Sequence, residues 1–199
     1  MIEITDDAMR VLKGPNQIFD EWKCFLQFAQ VYFRARGIGH PVVVEIGTQN
    51  GRQKAHYEKF LDAEHIGIDI TDEWSKPDIL GDSHAPETME KLKEQLAGRP
   101  INLLFIDAFH TEEAARAEYE LYGPMAKDII AFHDIRHERG IEKLWLDLRA
   151  KEAGNRNLSF MTIGYWKEGW CELGIGLIVK CDKETIRPII EEYRRIKNG

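Results

Sequence analysis

The sequence predicts an α/β fold built on a doubly wound, mostly parallel sheet of seven strands. Short apolar runs alternate with helix-length amphipathic segments, which is typical of βαβ units. The first two runs carry an acid close to their carboxyl ends, Glu45 and Asp69. The last two runs are separated only by the polar turn Lys167-Glu168-Gly169. We therefore expect a closing hairpin that adds an antiparallel strand at one side of the sheet.

The predicted strands are apolar runs whose length suits buried strands. They lie at 42–46, 65–70, 79–80, 101–107, 129–133, 158–166 and 171–180. The predicted helices have apolar residues at helical spacing or begin at a capping residue. They lie at 18–33, 53–61, 89–97, from Thr111 onward, around 144–148 and at 186–196.

Length and composition predict one compact domain over residues 1–199, with residues 1–40 as an N-terminal helical extension that packs on it. The formal net charge of -7 and the lack of a Lys/Arg stripe argue against a nucleic-acid partner. The cysteines form no C-x-x-C pair, which favours a reducing cytoplasm over a disulfide framework. We expect no signal peptide and no membrane span.

The turn after the first predicted strand contains Gly47 and Gly51, where backbone can approach a ligand closely. Because Thr48 and Gln49 follow Gly47 directly, the spacing does not match G-x-G-x-x-G, and a pyrophosphate cradle is poorly supported. A phosphate-free ligand with an adenosine end and an amino-acid end would place its amino acid near Glu45 and the turn amides. S-adenosylmethionine fits this description.

Asp69 ends the second predicted strand and would lie beside this turn, where it could accept hydrogen bonds from two ribose hydroxyls. Hydrogen bonds to an ionised carboxylate contribute about 1.5–3 kcal/mol, so Asp69 would be a strong determinant of nucleoside affinity. The simpler alternative is that Glu45 and Asp69 only cap the ends of their strands.

From about Val42 to Lys180 the chain resembles the class I S-adenosylmethionine-dependent methyltransferases. Within that superfamily it is similar to the small O-methyltransferases grouped with macrocin O-methyltransferase and the so-called cephalosporin hydroxylases. The resemblance rests on an ordered set of segments more than on any one of them. The segments are Glu45-Ile46-Gly47-Thr48-Gln49-Asn50-Gly51, Gly67-Ile68-Asp69-Ile70, Gly81-Asp82-Ser83, Phe105-Ile106-Asp107-Ala108-Phe109-His110, Glu120-Leu121-Tyr122-Gly123-Pro124 and Ala131-Phe132-His133-Asp134-Ile135.

The resemblance implies which of these segments would bind each part of the cofactor. Gly47 and Gly51 would line its methionine end, and Asp69 would hold the ribose. Asp82 and Ser83 would lie beside the adenine.

The resemblance also implies a divalent metal at the ends of the fourth and fifth strands, held by Asp107, His133 and Asp134. A metal there would lower the pKa of an acceptor hydroxyl and hold two neighbouring oxygens of a diol-like substrate. The two aspartates suit Mg²⁺, but an imidazole suits Mn²⁺, Fe²⁺ or Zn²⁺ better, so the identity of the metal stays open. A metal-free hydrogen-bond network is the alternative reading of this cluster.

The general base is less well defined, because the resembling family often has an acid where this chain has Phe109. His110 and His133 could accept a proton near neutral pH, with Asp107 beside them in the catalytic group. The weaker candidates are two further histidines, His84 and His137. Alternatively, the base is missing because the protein does not methylate.

Three functions therefore remain open. The first is a metal-assisted O-methyltransferase acting on a small hydroxylated metabolite or sugar. The second is a metal-free methyltransferase with another acceptor, such as nitrogen. The third is a cofactor-binding domain without turnover, or a nucleotide-dependent oxidoreductase. We expect the N-terminal helix, the loop with Arg136, His137 and Arg139, and the hairpin with Trp166 and Trp170 to shape the substrate pocket. Aromatic residues of the N-terminal helix could belong either to the core or to a homodimer interface.

Overall fold

The computed structural model describes residues 2–12, 14–15, 17–136, 139–164 and 173–198. Within these residues, seven strands form one sheet in the order β3-β2-β1-β4-β5-β7-β6. The strands are β1 (Val42–Ile46), β2 (Glu64–Asp69), β3 (Ile79–Leu80), β4 (Ile101–Ile106), β5 (Ala126–Phe132), β6 (Ser159–Ile163) and β7 (Ile175–Val179). The helices are α1 (Asp6–Arg10), α2 (Phe19–Ala35), α3 (Arg52–Leu61), α4 (Pro86–Leu96), α5 (Glu112–Tyr122), α6 (Arg139–Lys151) and α7 (Lys183–Asn198).

Strand directions confirm the predicted α/β fold. Strands β3, β2, β1, β4 and β5 pair in parallel, whereas β7 runs antiparallel between β5 and β6. The antiparallel strand of the predicted hairpin is therefore the neighbour of β5. The turn at 167–169 lies outside the described residues, and so do His137, Trp166, Trp170 and Cys171.

Capping chemistry explains where several helices begin. The Thr111 hydroxyl accepts a hydrogen bond from the Ala114 amide at 3.3 Å, as expected for the N-cap of α5. Helix α4 begins three residues earlier than predicted because Pro86 fits the first turn of a helix, where its missing N–H is not needed. The short helix α1 was not predicted; Thr5 caps it through the Ala8 amide.

Two apolar layers cover the sheet. Helices α2, α3 and α7 contribute to the layer on one face, and α4, α5 and α6 contribute to the layer on the other. Phe19 is partly buried against this core, and the other five aromatic residues of α2 are fully buried, namely Trp22, Phe25, Phe28, Tyr32 and Phe33. Their apolar surface therefore belongs to the core and is not available as a dimer interface. No helix in the described part of the chain is long and apolar enough to cross a membrane.

Candidate functional site

A cavity of about 510 Å³ lies at the carboxyl ends of the parallel strands. Its walls include Gly47 after β1, Asp69 at the end of β2, Asp107 after β4 and Asp134 after β5. Because parallel strands all end at the same edge of a sheet, residues far apart in the sequence meet there. The volume is in the range usual for small-molecule sites.

Gly47 makes the closest backbone approach in this region. Its φ is +87°, and a Cβ at this position would lie 2.2 Å from the carbonyl oxygen of Asp107. Only glycine can therefore carry the turn across the end of β4. Gly51 has a different role, because it precedes α3 in the left-handed conformation and does not line the cavity. The predicted contact of Gly51 with the methionine end of the cofactor stays a prediction.

Asp69 ties the turn after β1 to the end of β2. Its Oδ2 accepts a hydrogen bond from the Gln49 amide at 2.7 Å, and its Oδ1 accepts one from the Thr71 amide at 3.1 Å. The Thr48 hydroxyl lies 3.4 Å from the same Oδ2. Gln49 and Asp69 line the cavity, whereas Thr48 is buried behind them and does not. The carboxylate is thus oriented toward the cavity by backbone donors.

Glu45 is buried near the end of β1 and is paired with a histidine of β2. Its side chain is fully buried, does not line the cavity, and accepts a hydrogen bond from Nε2 of His65 at 2.8 Å. The Tyr57 ring stacks on His65 at 5.3 Å. Burial raises the pKa of Glu45, and the hydrogen bond from His65 opposes this in part. Strand alternation puts Glu45 on the same face of the sheet as Val43, which packs in the layer with α3. The predicted contact of Glu45 with the cofactor stays a prediction.

Asp82 and Ser83 differ in whether they line the cavity. The Asp82 carboxylate is half exposed, accepts a hydrogen bond from the His84 amide at 2.9 Å, and does not line the cavity. Ser83 does line the cavity. Its hydroxyl donates to Oε1 of Glu118 at 2.7 Å. Of the two residues predicted beside the adenine, Ser83 lines the cavity, and the contact of either residue with the adenine stays a prediction. His84 bonds to Ala114 O and does not line the cavity.

Four polar side chains converge where the ends of β4 and β5 meet the cavity. Nε2 of His110 lies 3.1 Å from Oδ2 of Asp134 and 3.6 Å from Oδ1 of Asp107. Nδ1 of His133 lies 3.1 Å from Oδ1 of Asp134 and 3.2 Å from Oδ1 of Asp107. Asp134 adopts the left-handed region with a φ of +57°, an uncommon conformation for a non-glycine residue that recurs at functional sites.

The candidate metal ligands are Asp107, His110 and Asp134, whose ligand atoms all lie within 4.8 Å of one another. This set differs from the predicted one, because His110 takes the place of His133. His133 is only 5% exposed at the base of the cluster, whereas the His110 side chain is 43% exposed at the cavity wall.

The charges of the cluster shift the pKa values of His133 and Asp107. Burial by itself lowers the pKa of His133, but the charge of Asp107 and the hydrogen bonds to Asp107 and Asp134 raise it to about 10. Burial raises the pKa of Asp107, yet the charge of His133 and hydrogen bonds from His110 and Gln17 contribute to lowering it to about 2. The two neighbouring carboxylates therefore favour the protonated form of His133. Its predicted role as a general base stays a prediction.

Gln17 is a site residue that the sequence analysis missed. Its Nε2 donates to Oδ2 of Asp107 at 2.7 Å, and the residue lines the cavity with only 8% of its surface exposed. Its Oε1 is buried with no hydrogen-bond partner among the described residues, and so is Oε1 of Gln53 in the cavity wall. No sequence signal marks Gln17, because it lies 90 residues before Asp107 and outside every recognisable motif.

Apolar side chains form the rim of the cavity. Ile70, Trp74 and Phe109 all line it and remain 59%, 60% and 43% exposed. Phe109 therefore presents an apolar surface where the resembling family often has an acid. Arg136 and Arg139 do not line the cavity, so the prediction that this loop shapes the pocket is supported for neither arginine.

Comparison with solved structures identifies the architecture. The O-methyltransferase TomG from Streptomyces achromogenes, solved with SAM, is 12% identical with a TM-score of 0.56, and the match covers 78% of this chain and 79% of TomG. The class I methyltransferase fold is established. An O-methyltransferase from Bacillus cereus, solved with SAH, is 14% identical with a TM-score of 0.50, covering 78% of this chain and 80% of that one.

A third methyltransferase of this fold, MycE from the mycinamycin biosynthetic pathway, was solved with Mg and SAH. It is 13% identical with a TM-score of 0.54, and the match covers 85% of this chain but only 55% of MycE. No protein-family model and no curated protein matches the sequence. At these identities, the class I methyltransferase fold is the common property.

Proposed function

We propose that this protein is an S-adenosylmethionine-dependent O-methyltransferase that acts on a small hydroxylated molecule with the help of a divalent metal. The observation that carries the proposal is a single cavity, in a methyltransferase fold, that joins the Asp69 turn to the Asp107–His110–Asp134 cluster. Metal-assisted group transfer to a hydroxyl requires the donor and the metal-bound acceptor to lie side by side, and a nucleoside site and a metal site in one cavity meet this requirement.

The residues present fit the cofactor. The Asp69 carboxylate is held by the Gln49 and Thr71 amides, and its remaining lone pairs can accept ribose hydroxyls. Gly47 leaves room for backbone close to the ligand. The buried amide oxygens of Gln17 and Gln53 lack donors, which an ammonium group of an amino-acid end could supply.

The residues present also fit a divalent metal. Two carboxylates and one imidazole form a mixed oxygen and nitrogen set, and this chemistry accommodates Mg²⁺ or Mn²⁺. When bound, the metal would supply Lewis acidity that lowers the pKa of the acceptor hydroxyl. Gln17 would orient Asp107 through its 2.7 Å hydrogen bond, and the apolar rim would exclude water from the reacting atoms.

A thermal-shift experiment tests the cofactor. At about one hundred times its dissociation constant, a ligand stabilises the folded state by about 2.7 kcal/mol, which raises the midpoint by roughly 5–10 °C in a chain of this length. We expect S-adenosylhomocysteine to produce this shift and NAD to produce none. Asp69→Asn should reduce the shift, whereas Asp82→Asn, a half-exposed aspartate outside the cavity, should not. A shift with NAD alone would reject the cofactor.

Calorimetry with Mn²⁺ and Mg²⁺ tests the metal. We expect Asp134→Asn to weaken metal binding while leaving S-adenosylhomocysteine affinity within about tenfold, because Asp134 belongs to the candidate metal set and Asp69 does not. Asp82→Asn again serves as the matched control. Unchanged metal affinity in Asp134→Asn would mean that the metal site is misplaced.

A metal-free methyltransferase is the second candidate, and one observation favours it. Nδ1 of His133 lies 3.2 Å from Asp107 and 3.1 Å from Asp134, and the two carboxylates favour its protonated form, which would offset part of their charge without a metal. His110 would then be free of a ligand role and available for proton transfer near the acceptor. Methyl transfer that persists after chelation by EDTA would favour this candidate over the metal enzyme.

A further inference from the structure

A second cavity lies along the outer edge of the sheet. Its volume is about 540 Å³, and its walls are formed by the end of α6 with the loop after it, by β6 and by α7, within residues 149–155, 158–161 and 183–194. It shares no lining residue with the cavity that contains Asp69 and Asp107. The proposed function gives no role to this second cavity, which we call the β6 groove.

Strand β6 forms an open edge of the sheet in this groove. Among the described residues β6 pairs only with β7, and it is the last strand of the sheet. Backbone N–H and C=O groups on its other side can therefore pair with a further strand. Many proteins protect such an edge with a charged residue or a proline, but the strand Ser159–Ile163 contains neither.

Three cationic side chains of α7 line the groove beside this edge. Lys183, Arg187 and Arg194 are all exposed, and none of them forms an ion pair with another described residue. Their spacings of four and seven residues place them along one face of the helix. The charges on this face are therefore available to a partner.

The charge of the groove is opposite in sign to that of the whole chain. Arg149 of α6 is a fourth cation in its wall, whereas Glu152 and Glu191 are the acidic residues among its described lining residues. The whole chain has a net charge of -7. The groove is thus a local positive surface, and its electrostatic complement is an acidic partner. A second copy fits less well, because two-fold pairing sets identical surfaces, and hence like charges, against each other.

The two sides of β6 would offer different surfaces to an added strand. Met161 packs in the apolar layer to which α7 contributes, and Leu158 and Phe160 pack in the layer to which α6 contributes. Side chains of an added strand would alternate between these two sides. One set would therefore meet the cations of α7, and the other set would meet apolar side chains. The complementary sequence alternates acidic and apolar residues.

We propose that the β6 groove binds an extended acidic segment of another protein, which adds an eighth strand to the sheet beside β6. Hydrogen bonds between the two backbones would supply affinity, and the cations of α7 would select the acidic side chains. This interaction is independent of the proposed methyl transfer, because the two cavities have no lining residue in common.

Calorimetry with synthetic peptides tests the proposal near neutral pH. The probe is a capped ten-residue peptide of alternating glutamate and valine, and a peptide with lysine in place of glutamate reverses its charge. We expect the whole chain to bind the glutamate peptide at least about tenfold more tightly, because several charge pairs change from attractive to repulsive. A third peptide has proline in place of valine, which keeps the charge but prevents strand pairing. It should bind at least about tenfold more weakly than the glutamate–valine peptide.

Substitutions on α7 test the cations. Lys183→Glu combined with Arg187→Glu should weaken binding of the glutamate–valine peptide at least about tenfold and reverse the preference in favour of the lysine peptide. Loss of folding could not produce such a reversal. Arg195→Glu is the matched control, because Arg195 is exposed on the same helix but does not line the groove. It should keep the parental preference.

Hydrogen exchange locates the bound peptide. Added glutamate–valine peptide should slow exchange of amides in the strand Ser159–Ile163, because the outward N–H groups of an edge strand gain partners when a further strand pairs with it. Amides of β1, in the interior of the sheet, should be unaffected. Binding without added protection of β6 would contradict strand addition.

The proposal would also be overturned by any of four other results. They are no binding of the glutamate–valine peptide at about 1 mM, equal affinity for the proline peptide, unchanged affinity in the double variant, and a parent dimer that the double variant dissolves. The last result would assign the groove to a second copy. Tighter binding of a ten-nucleotide DNA strand or of phosphatidylserine vesicles, lost in the double variant, would assign the groove to phosphate groups and would reject an acidic peptide.

Discussion

The pH dependence of stability should reveal the cost of burying Glu118. Burial raises the pKa of this carboxyl from 4.5 to about 7, although the hydrogen bond from Ser83 opposes the shift. The native state therefore holds a proton that the unfolded chain has already released between these two values. The stability conferred by the raised pKa is fully present below pH 4.5 and is lost as the pH rises through 7.

The magnitude follows from the size of the shift. One pKa unit corresponds to 1.36 kcal/mol, so the shift is worth about 3 kcal/mol in total, of which roughly 2–3 kcal/mol falls between pH 5 and pH 8. Replacing Glu118 with Gln removes the titration while keeping the shape of the side chain. The free energy of unfolding of Glu118→Gln, relative to the parent protein, should therefore rise by this amount across the interval.

Urea unfolding at half-unit steps from pH 5 to pH 8 measures the difference directly. Glu120→Gln is the matched control, because this glutamate is exposed on the same helix and its replacement should leave the pH dependence of the parent unchanged. Parallel curves for the parent protein and Glu118→Gln would refute the reasoning. In that case the buried carboxyl titrates alike in the folded and unfolded states.

Two further predictions concern the backbone and the core. Gly47→Ala should destabilise the fold by more than about 2 kcal/mol and abolish S-adenosylhomocysteine binding, because the new Cβ would lie 2.2 Å from the Asp107 carbonyl oxygen. Urea unfolding measures the loss of stability, and calorimetry measures the loss of binding. Gly98→Ala is the control, since its φ of +81° is similar but nothing lies within 4 Å. Leu103→Ala should lower the free energy of unfolding by about 2–5 kcal/mol, because Leu103 is fully buried in β4. Leu146 is 53% exposed, so Leu146→Ala should change this free energy by less than about 0.5 kcal/mol. Equal effects in either pair would contradict the packing argument.

The order of strands and helices could be predicted because each element has a local pattern. The apolar run of β1, the alternating helices and the closing pair of strands follow from periodicity and length. Errors are confined to element ends and to the short helix α1, where capping by Thr5 is a weak signal. The order and type of the strands and helices can therefore largely be predicted from the sequence.

The site was predicted less completely, for a geometric reason. The sequence analysis located Gly47, Asp69 and Asp107 because residues at strand ends share one edge of a parallel sheet. The local pattern did not show that Glu45, one residue before the end of its strand, is fully buried and bonded to His65. An acidic residue near a strand end can point to either face of the sheet, and its approximate position in the sequence does not determine which.

The sequence by itself determined the strand and helix succession, the glycine turn and the edge of the sheet where polar groups collect, because these depend on local pattern and on strand direction. Only the tertiary structure decided that His110 lies with Asp107 and Asp134 in a candidate metal set, that Gln17 contacts Asp107 and that Glu118 accepts a hydrogen bond from Ser83. Such contacts join residues that no local pattern connects. Their geometry depends on how loops and helices pack around the sheet, and this packing is a property of the whole chain.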